Sequence, residues 1–498
     1  MDTLDRDACY RALETRDPRF DGRLFVGVTS TGIYCRPICP ARTPKRDNCR
    51  FFASAAAAQE AGFRPCLRCR PETAPDLAFW RGSSNTVSRA LALIADGALD
   101  GDEAGMEALA ERLGVGDRQL RRLFKQHLGA SPVAVAQTRR VLLAKQLIQE
   151  TRMPLAEVAL AAGFGSVRRF NETFRTLFRR PPQALRRGRA AEPDAETGVT
   201  LRLSYRPPYD WPAMLEFLAA RAIAGVEQVE DGVYRRSVAL DGALGSIAVR
   251  HLAEARSIGV TIRFPSLRSL PAIVARTRRV FDVGADIETI GAHLARDPLL
   301  ARLVAARPGL RAPGAWDGFE LAVRAILGQQ VSVVAARRLA GRLVALCGEK
   351  LGEAQQSDGA LTHAFPSPAR LAAADLGTLG MPGARRAALK ALADAALADP
   401  QLFRPFGTVD EAVERLRRIR GVGEWTAQYI ALRALREPDA FPASDIGLLR
   451  GAALLAGARP TPAGLIDRAE LWRPWRAYAA QHLWAADAAA GKDEVLHG

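Results

Sequence analysis

The stretch RGVGEWTAQYI at residues 420–430 places two glycines around one valine at the start of a pattern with helical spacing of apolar residues. A helix that begins at such glycines presents backbone N–H groups with no side chain in the way, and this arrangement suits a phosphate. The next segment, AFPASDIGLLR at residues 440–450, contains one acidic residue, Asp445. If the phosphate belongs to DNA, this carboxylate is a candidate neighbour of a sugar.

The length and the charge of the chain limit the possible classes of protein. A chain of 498 residues is too long for one core, so we expect three or four domains. The formal net charge of +16 favours an anionic partner. Residues 1–190 contain 32 Lys and Arg against 20 Asp and Glu, so most of the surplus lies in the first two-fifths of the chain. A basic surplus alone also fits an ordinary solvated surface.

The sequence has no features of a membrane or secreted protein. It contains no uninterrupted apolar run of 18 residues, and its first residues, MDTLDRDACYRALETRD, mix acidic and basic side chains. We therefore expect a cytosolic protein, bacterial and associated with the nucleoid. Structural disulfides are rare in that compartment, so the seven cysteines call for another explanation.

The pattern of apolar residues changes along the chain. Helical spacing with glycine-rich breaks runs from Thr86 to Leu185, and residues 186–198 have the composition of a linker. Alternating strands continue to about residue 265, after which the pattern is almost entirely helical, with a predicted surface loop at 348–363. These patterns predict a multidomain α+β protein that is mostly helical.

Four cysteines have the spacing of a metal site: Cys35, Cys39, Cys66 and Cys69. They form two close pairs separated by 26 residues, and tetrahedral zinc binds thiolates in this arrangement. From the spacing alone, a zinc ion that only staples a small domain is the better interpretation. Cys9 and Cys49 lack pair spacing, so we interpret them as packing residues.

The residues around these cysteines resemble the zinc domain of the Ada-type adaptive-response proteins, in TGIYCRPICPAR (31–42) and FFASAAAAQEAGFRPCLRCRP (51–71). The resemblance implies that Cys35 is both a zinc ligand and a sacrificial acceptor of a methyl group from a DNA methylphosphotriester. It also implies that Thr31 and Arg42 contact DNA. Zinc keeps a thiol deprotonated, and methylation of one thiolate removes one negative charge, so DNA affinity is expected to rise afterwards.

Two helical units follow the cysteine region. MEALAERLGVGDRQLRRLFKQHLGASP (106–132) reads as helix, glycine turn and helix, with Arg118, Gln119 and Arg122 on the outer face. A second unit at 153–185 has Ser166 as the predicted N-cap, followed by Arg168 and Arg169. On the pattern alone, an amphipathic pair with a solvated basic face is about as good an interpretation. Their order and content resemble the AraC-type DNA-binding domain.

The remaining sequence, from residue 200 to 489, resembles the AlkA-type 3-methyladenine DNA glycosylases II of the helix-hairpin-helix superfamily. Matching stretches include ARPGLRAPGAWDGFELAVRAILGQQVSV, IRGVGEWTAQYIALRA and LWRPWRAYAAQHLW. The resemblance implies that the N–H groups of Gly421 and Gly423 bind a DNA phosphate, that the base is flipped out, and that Asp445 is catalytic. Without it, a helix N-cap is the better interpretation of Asp445.

The same resemblance implies an aromatic base pocket made by Phe217, Trp425, Tyr429 and Trp484. Electron-rich ring faces attract a cationic alkylated base, although simple core packing is the alternative. Bifunctional relatives carry Lys at the position of Trp425 to form a Schiff base, so we expect a glycosylase that uses water. Iron–sulfur members of the superfamily need a C-terminal run of four cysteines, and no cysteine follows Cys347, so no cluster is expected. We also expect no organic cofactor.

Three positions depart from the glycosylase family. Gln330 stands where a Leu wedge is usual, Ala485 replaces a pocket aromatic, and Ser444 replaces an acidic neighbour of the catalytic Asp. The range of excised bases is therefore open.

Together these features predict the following domains: an Ada-type zinc domain (1–80), an AraC-type double helix-turn-helix (84–187), a linker (188–198), an AlkA-type N-terminal α/β domain (199–290) and a helix-hairpin-helix glycosylase domain (291–490). We expect alkylation repair by a monofunctional glycosylase fused to a damage-sensing activator. The expected partners are alkylated and promoter DNA and RNA polymerase, with a monomeric chain as the default. The alternative is an activator whose glycosylase-like module binds DNA without catalysis.

Overall fold

The computed structural model describes residues 5–74, 85–100, 105–151, 153–186, 198–352, 360–404 and 408–497. The chain forms two compact units, one of residues 1–206 and 252–275 and the other of residues 207–251 and 276–498. The predicted linker 188–198 lies outside the described residues, except for Gly198. Within the described ranges, no helix has the length and apolar character needed to span a membrane.

The first unit begins with a small mixed domain. Its elements are α1 (Arg6–Glu14), β1 (Phe25–Val28), β2 (Ile33–Cys35), β3 (Cys49–Phe52), α2 (Ala55–Glu60) and β4 (Arg64–Pro65). The strands form one sheet in the order β3-β1-β2-β4, in which β1 is antiparallel to both neighbours and β4 is parallel to β2. Cys9 and Cys49 are buried in one apolar cluster, which confirms their interpretation as packing residues.

Six helices follow: α3 (Asn85–Ala95), α4 (Met106–Arg112), α5 (Asp117–Leu128), α6 (Pro132–Glu150), α7 (Leu155–Ala161) and α8 (Val167–Phe178). Leu109, Leu120 and Phe124 are buried in the core of the first helical pair. The Ser166 hydroxyl accepts the N–H of Arg169 at the start of α8, so the predicted N-cap is confirmed. The long helix α6 separates the two helical pairs, α4–α5 and α7–α8.

A buried ionic network ties helix α6 to the cysteine region. Lys145 has no exposed surface, and its ammonium donates to the carbonyl of Cys66 at 3.1 Å and pairs with Glu72. Arg70 links Glu72 to Glu150 on the same helix, with N–O distances of 3.0 and 2.6 Å. A buried charge is tolerated when it is paired and hydrogen-bonded, so this network fixes the cysteine-bearing loop on α6.

The next part of the chain is rich in strands: β5 (Val199–Ser204), α9 (Trp211–Arg221), β6 (Glu227–Glu230), β7 (Val233–Leu240), β8 (Ala243–Leu252) and β9 (Ser257–Arg263). In the first unit, β5 pairs with β9 in antiparallel register, and Gln146 of α6 donates to the carbonyl of Arg202 at 2.9 Å. In the second unit, β6–β7 and β7–β8 are antiparallel pairs.

The rest of the chain is mostly helical, as predicted. Its elements are α10 (Leu270–Val280), α11 (Ile287–Leu294), α12 (Pro298–Ala306), α13 (Gly318–Leu327), α14 (Val333–Cys347), β10 (Glu349–Lys350), β11 (His363–Ala364), α15 (Pro368–Ala373), α16 (Gly383–Ala398), α17 (Val409–Arg417), α18 (Glu424–Arg433), α19 (Ile446–Ala456), α20 (Pro462–Ala469) and α21 (Arg476–His497). The predicted surface loop 348–363 departs from expectation at its ends, where β10 and β11 pair. Leu351 and Leu361 are buried there, which anchors both ends.

Helices α17 and α18 flank the turn that contains Gly421 and Gly423. Gly421 has φ +85°, and a Cβ atom there would lie 2.3 Å from the Cβ of Ala388 on α16. Gly423 has φ −85°, and a Cβ atom there would meet nothing within 4 Å. The first glycine is therefore required by the turn itself, whereas the second is not.

This difference predicts the stabilities of two matched variants. Gly421→Ala should lower the free energy of unfolding by about 2 kcal/mol, because it combines a left-handed residue with a steric overlap. Gly423→Ala should change it by less than about 0.5 kcal/mol. Urea denaturation followed by tryptophan fluorescence measures the free energy of unfolding of both variants. Equal losses of stability in the two variants would contradict the different roles assigned to the two glycines.

Candidate active site and metal centre

Asp445 accepts three hydrogen bonds at the start of helix α19. The indole N–H of Trp425 donates to Oδ2 at 2.7 Å, and the indole N–H of Trp484 donates to Oδ1 at 2.8 Å. The backbone N–H of Leu448 donates to Oδ1 at 3.0 Å, so Asp445 is also the N-cap of α19. The helix-cap interpretation is thus correct, but it accounts for only one of the three donors.

Small residues bring the second indole to the carboxylate. A Cβ atom on Gly447 would lie about 3.1 Å from both Asp445 Oδ1 and the Trp484 ring, and one on Gly451 would lie 2.2 Å from the carbonyl of Leu483. The two glycines are four residues apart on α19, so they form one face on which α21 packs closely. The sequence contains this signal in DIGLLRG, but its significance depends on knowing which helix is adjacent.

Three of the four predicted pocket aromatics, Trp425, Tyr429 and Trp484, contact one another next to Asp445. Trp425 and Tyr429 are stacked with ring centroids 5.4 Å apart and planes 9° apart, and Tyr429 meets Trp484 edge to face at 6.3 Å. All four rings, including Phe217 on α9, are half-buried rather than sealed in the core. Partial exposure of this kind is expected of a pocket lining and not of a fully packed interior.

The structure adds a residue that sequence reasoning missed. Arg433, the last residue of α18, is 2% exposed, and its guanidinium carbon lies 4.8 Å from the ring centroid of Phe217, 5.0 Å from that of Trp484 and 5.8 Å from that of Tyr429. Burial lowers the pKa of Arg433 to about 10, which still leaves it protonated at neutral pH. A cation therefore already lies among three of the four rings.

The turn between α13 and α14 has an unusual backbone conformation. Gln330 is exposed and has φ +57°, a left-handed conformation that non-glycine residues rarely adopt. The adjacent Gln329 ties this turn to the hairpin, since its amide donates to the carbonyl of Gly421 and to the hydroxyl of Thr426, both at 3.0 Å. The predicted wedge position and the predicted phosphate-binding turn are thus physically linked.

The four predicted metal ligands form one cluster. The sulfur atoms of Cys35, Cys39, Cys66 and Cys69 all lie within 4.8 Å of one another. Backbone N–H groups of Arg36 and Arg68 donate to Cys69 and Cys66, each at 3.3 Å, as is usual for bound thiolates. Four convergent thiols, two of which accept backbone N–H groups, fit a zinc ion, and this cluster supports a zinc site.

The thiols of this cluster differ in exposure. Three of the four cysteines are buried, and Cys35, at the end of β2, is the half-exposed one. A reagent from solution therefore reaches Cys35 most readily.

The predicted DNA-facing side chains of the first unit are all exposed: Thr31, Arg42, Arg118, Gln119, Arg122, Arg168 and Arg169. Arg168 forms an exposed ion pair with Glu172 at 3.0 Å, one turn along α8. Exposure is what a groove-reading face requires, but a solvated helix face shares it, so their DNA contacts stay a prediction.

Four family models match consecutive parts of the chain. They are described as the metal binding domain of Ada (residues 8–72), a helix-turn-helix domain (109–188), the AlkA N-terminal domain (200–317) and the HhH-GPD superfamily of base excision DNA repair proteins (323–477). Their order is the predicted order, while the exact domain boundaries stay a prediction.

Individual proteins match the same parts of the chain as the four family models. A Mycobacterium tuberculosis protein named probable bifunctional transcriptional activator/DNA repair enzyme AlkA is 44% identical over 96% of both chains. DNA-3-methyladenine glycosylase 2 of Escherichia coli is 39% identical over 57% of this chain and 95% of its own. The structure of a 3-methyladenine DNA glycosylase from Archaeoglobus fulgidus covers 58% of this chain and 98% of its own, with a TM-score of 0.52 and 24% identity, which shows a shared fold.

The cysteine cluster predicts one zinc ion per chain. Replacing Cys66 by Ser should remove the metal, because three thiolates and a weakly acidic hydroxyl bind zinc far less tightly. Cys347→Ser is the matched control, since Cys347 is a buried cysteine outside the cluster and should leave zinc unchanged. Metal analysis of the purified chains measures this, and equal zinc in all three proteins would contradict the assignment.

Proposed function

This chain belongs to the family of bifunctional transcriptional activators and DNA repair enzymes of the AlkA type, and on that premise we propose two linked activities for it. The C-terminal part hydrolyses the N-glycosylic bond of alkylated bases of the 3-methyladenine kind in DNA. The N-terminal part accepts a methyl group from a damaged DNA phosphate and regulates transcription through its helix-turn-helix domain. The observation that carries the first activity is the Asp445 carboxylate held beside an aromatic pocket by two indole N–H groups.

The glycosylase chemistry is hydrolysis with heterolytic bond cleavage. The C1′–N bond breaks, both of its electrons leave with the base, and the sugar acquires oxocarbenium-like positive charge. Asp445 stabilises that charge, since a fixed carboxylate in a partly desolvated site needs no reorganisation when the charge develops. Water adds to C1′ and loses a proton, and Asp445 is positioned to orient this water or accept the proton.

The surroundings of the carboxylate support this role. Each carboxylate oxygen is held by a different indole, so neither oxygen can rotate away from the pocket. Indoles donate without carrying a charge, so they orient the carboxylate without neutralising it. An arginine partner would have weakened the field that the sugar cation needs. Trp425 also lacks an amine for Schiff-base formation, which favours a water-using enzyme.

Substrate binding is assigned to the hairpin and to the neighbouring turn. The backbone N–H groups at Gly421 and Gly423 would bind a phosphate of the damaged strand, and helix α18, which starts directly after them, adds its N-terminal dipole. Gln330, exposed and held in a left-handed conformation, would fill the stack vacated by the flipped base. Gln329 bonds to the carbonyl of Gly421, so the turn that carries Gln330 and the phosphate-binding hairpin are held at a fixed distance from each other.

The substitution Asp445→Asn tests the catalytic assignment. Asparagine can still cap α19, because its carbonyl accepts the Leu448 N–H, so the fold should survive. We expect release of 3-methyladenine from alkylated DNA to fall by at least about 100-fold, which is typical for loss of a preorganised charge. Asp375→Asn is the matched control, because Asp375 caps a distant turn by accepting the N–H of Gly377.

Two outcomes would decide between the enzyme and its alternative. Release within about twofold of wild type by a folded Asp445→Asn chain would contradict the role of this residue. Absence of release by the wild type itself would favour an activator with a DNA-binding but inactive glycosylase-like module.

The methyl-transfer step is assigned to Cys35. A zinc ion held by the four cysteines would keep the acceptor sulfur as a thiolate at neutral pH. The sulfur attacks the methyl carbon of the phosphotriester, the carbon–oxygen bond breaks, and the phosphate keeps the electron pair. The half-exposed position of Cys35 supports this choice among the four. Methylation removes one negative charge from the site, so repulsion of the DNA backbone decreases.

This assignment predicts a specific covalent change. After incubation with DNA that carries methylphosphotriesters, mass spectrometry should find one methyl group on Cys35, and the affinity for promoter DNA should rise by about tenfold or more at moderate salt. Unmethylated DNA is the control. A chain that retains zinc but acquires no methyl group would favour a zinc ion that only staples the domain.

The regulatory part rests on the two helical pairs. Two sets of exposed side chains would enter successive major grooves, since α6 separates the two pairs: Arg118, Gln119 and Arg122 on α5, and Arg168 and Arg169 on α8. An activator of this kind acts on RNA polymerase, and binding as a monomer is the simplest arrangement.

A further inference from the structure

The buried network around Lys145 joins the cysteine cluster to helix α6. The ammonium of Lys145 donates to the carbonyl of Cys66, one of the four clustered cysteines, and pairs with the carboxylate of Glu72. Lys145 has no exposed surface, and only 1% of the Glu72 side chain is exposed. A buried ammonium is stable only while its partners stay in place, so Lys145 depends on the position of the loop at 66–72.

Arg70 adds a second link from the same loop to the end of α6. It directly follows Cys69, another of the clustered cysteines, and has φ +53°, a left-handed conformation that non-glycine residues rarely adopt. Its guanidinium donates to Glu72 at 3.0 Å and to Glu150, the last residue of α6, at 2.6 Å. One carboxylate from each side of the interface therefore holds this uncommon conformation in place beside the cysteines.

Glu150 continues the network to strand β5. Its carboxylate also accepts from the side-chain amide of Gln146 at 2.9 Å and from the backbone N–H of Arg202 at 3.4 Å. The same amide of Gln146 donates to the carbonyl of Arg202 at 2.9 Å. Strand β5 is the first strand of the part that matches the AlkA N-terminal domain, so the network extends from the cysteine loop through α6 to that part.

Two further contacts hold the cysteine domain near the other end of α6. Ala56 and Ala57 on α2 form one buried cluster with Ala130, which lies two residues before the start of α6. The hydroxyl of Ser54 donates to the carbonyl of Leu128 at 2.6 Å. The domain is thus attached near both ends of a 19-residue helix, and these two contacts use no charged side chain.

We propose that Lys145 is a positioning residue that couples the cysteine cluster to α6, so that metal binding by the cysteines orders the C-terminal half of this helix and strand β5. Helix α6 separates the two helical pairs of the helix-turn-helix domain. The coupling therefore makes the regulatory part, and the first strand of the repair part, sensitive to the state of the sensor. The inference rests on the zinc site of the proposed sensor and does not require methyl transfer.

The energetics of buried charge explain the coupling. Without a bound metal the four thiols no longer constrain the loop that carries Cys66, and its carbonyl and Glu72 can move away from Lys145. An ammonium left buried without its partners is strongly unfavourable, so the end of α6 opens to water instead. Opening of this end also releases Glu150, which removes its bonds to β5.

The wild-type chain provides the first test. Amide hydrogen exchange is measured by mass spectrometry with zinc bound and after removal of zinc by a chelator. We expect amides at 141–150 on α6 and at 199–204 on β5 to exchange at least about tenfold faster without zinc. Helix α13 of the second unit is the internal reference and should change by less than about twofold. Exchange on α6 that does not depend on zinc would overturn the inference.

A double variant tests the role of Lys145 itself. Lys145→Met combined with Glu72→Gln removes both charges and leaves no unpaired buried ion, while the alanine contact keeps the domains together. We expect the zinc-dependent change in exchange on α6 to fall to within about threefold. Lys125→Met is the matched control, because Lys125 pairs with Glu60 in an exposed ion pair across the same two domains and should keep the full change.

A merely structural network would give a different result. Exchange in the double variant would then rise equally with and without zinc, so the zinc-dependent change would stay at its wild-type value, and this outcome would overturn the inference.

Zinc affinity gives an independent measurement, because coupling between two sites is reciprocal. Chelator competition should show that the double variant binds zinc at least about fivefold more weakly, whereas Lys125→Met binds it as the wild type does. Equal zinc affinity in all three proteins would overturn the inference. Mass spectrometry of Cys35 tests methyl transfer separately, so failure of the proposed activity is distinguishable from failure of the coupling.

Discussion

The geometry of the candidate active site depends on one set of hydrogen bonds, those that Asp445 accepts from Trp425 and Trp484. The two indoles come from different helices, α18 and α21, and the carboxylate itself begins a third, α19. Three helices therefore have to be correctly packed before the carboxylate is held at both oxygens. A site built in this way couples the rigidity of the domain to the position of a single charge, which is the arrangement that electrostatic catalysis requires.

Trp484 contacts two opposite charges. Its indole N–H donates to Asp445 at 2.8 Å, and its ring centroid lies 5.0 Å from the guanidinium carbon of Arg433. In the proposed reaction the sugar becomes positive while the base leaves with the electrons of the glycosylic bond, so a carboxylate fixed on this ring stabilises the positive side of the separated charge.

The sequence was sufficient for the fold class and for the cysteine cluster, whereas the catalytic assignment of Asp445 and its aromatic neighbours came from the family resemblance and stays a prediction. Cysteine pairs, helix-capping serines and a glycine hairpin can be recognised within short segments. Arg433 and Gly447 could not be, since their importance arises from neighbours 48 and 37 residues away in the chain, Gln481 and Trp484. The same holds for Lys145, whose buried pairing with Glu72 makes an apparent surface lysine part of the link between the cysteine domain and α6.

In the proposed mechanism the fixed carboxylate of Asp445 stabilises positive charge on the deoxyribose. The most direct measurement compares the affinity of the wild-type chain for two duplexes, one with a pyrrolidine abasic analogue that is protonated at neutral pH and one with the neutral tetrahydrofuran analogue. Both lack a base and differ mainly in charge at the sugar, so other DNA contacts cancel. We expect the cationic analogue to bind at least about 100-fold more tightly. Equal affinity for the two duplexes would contradict it.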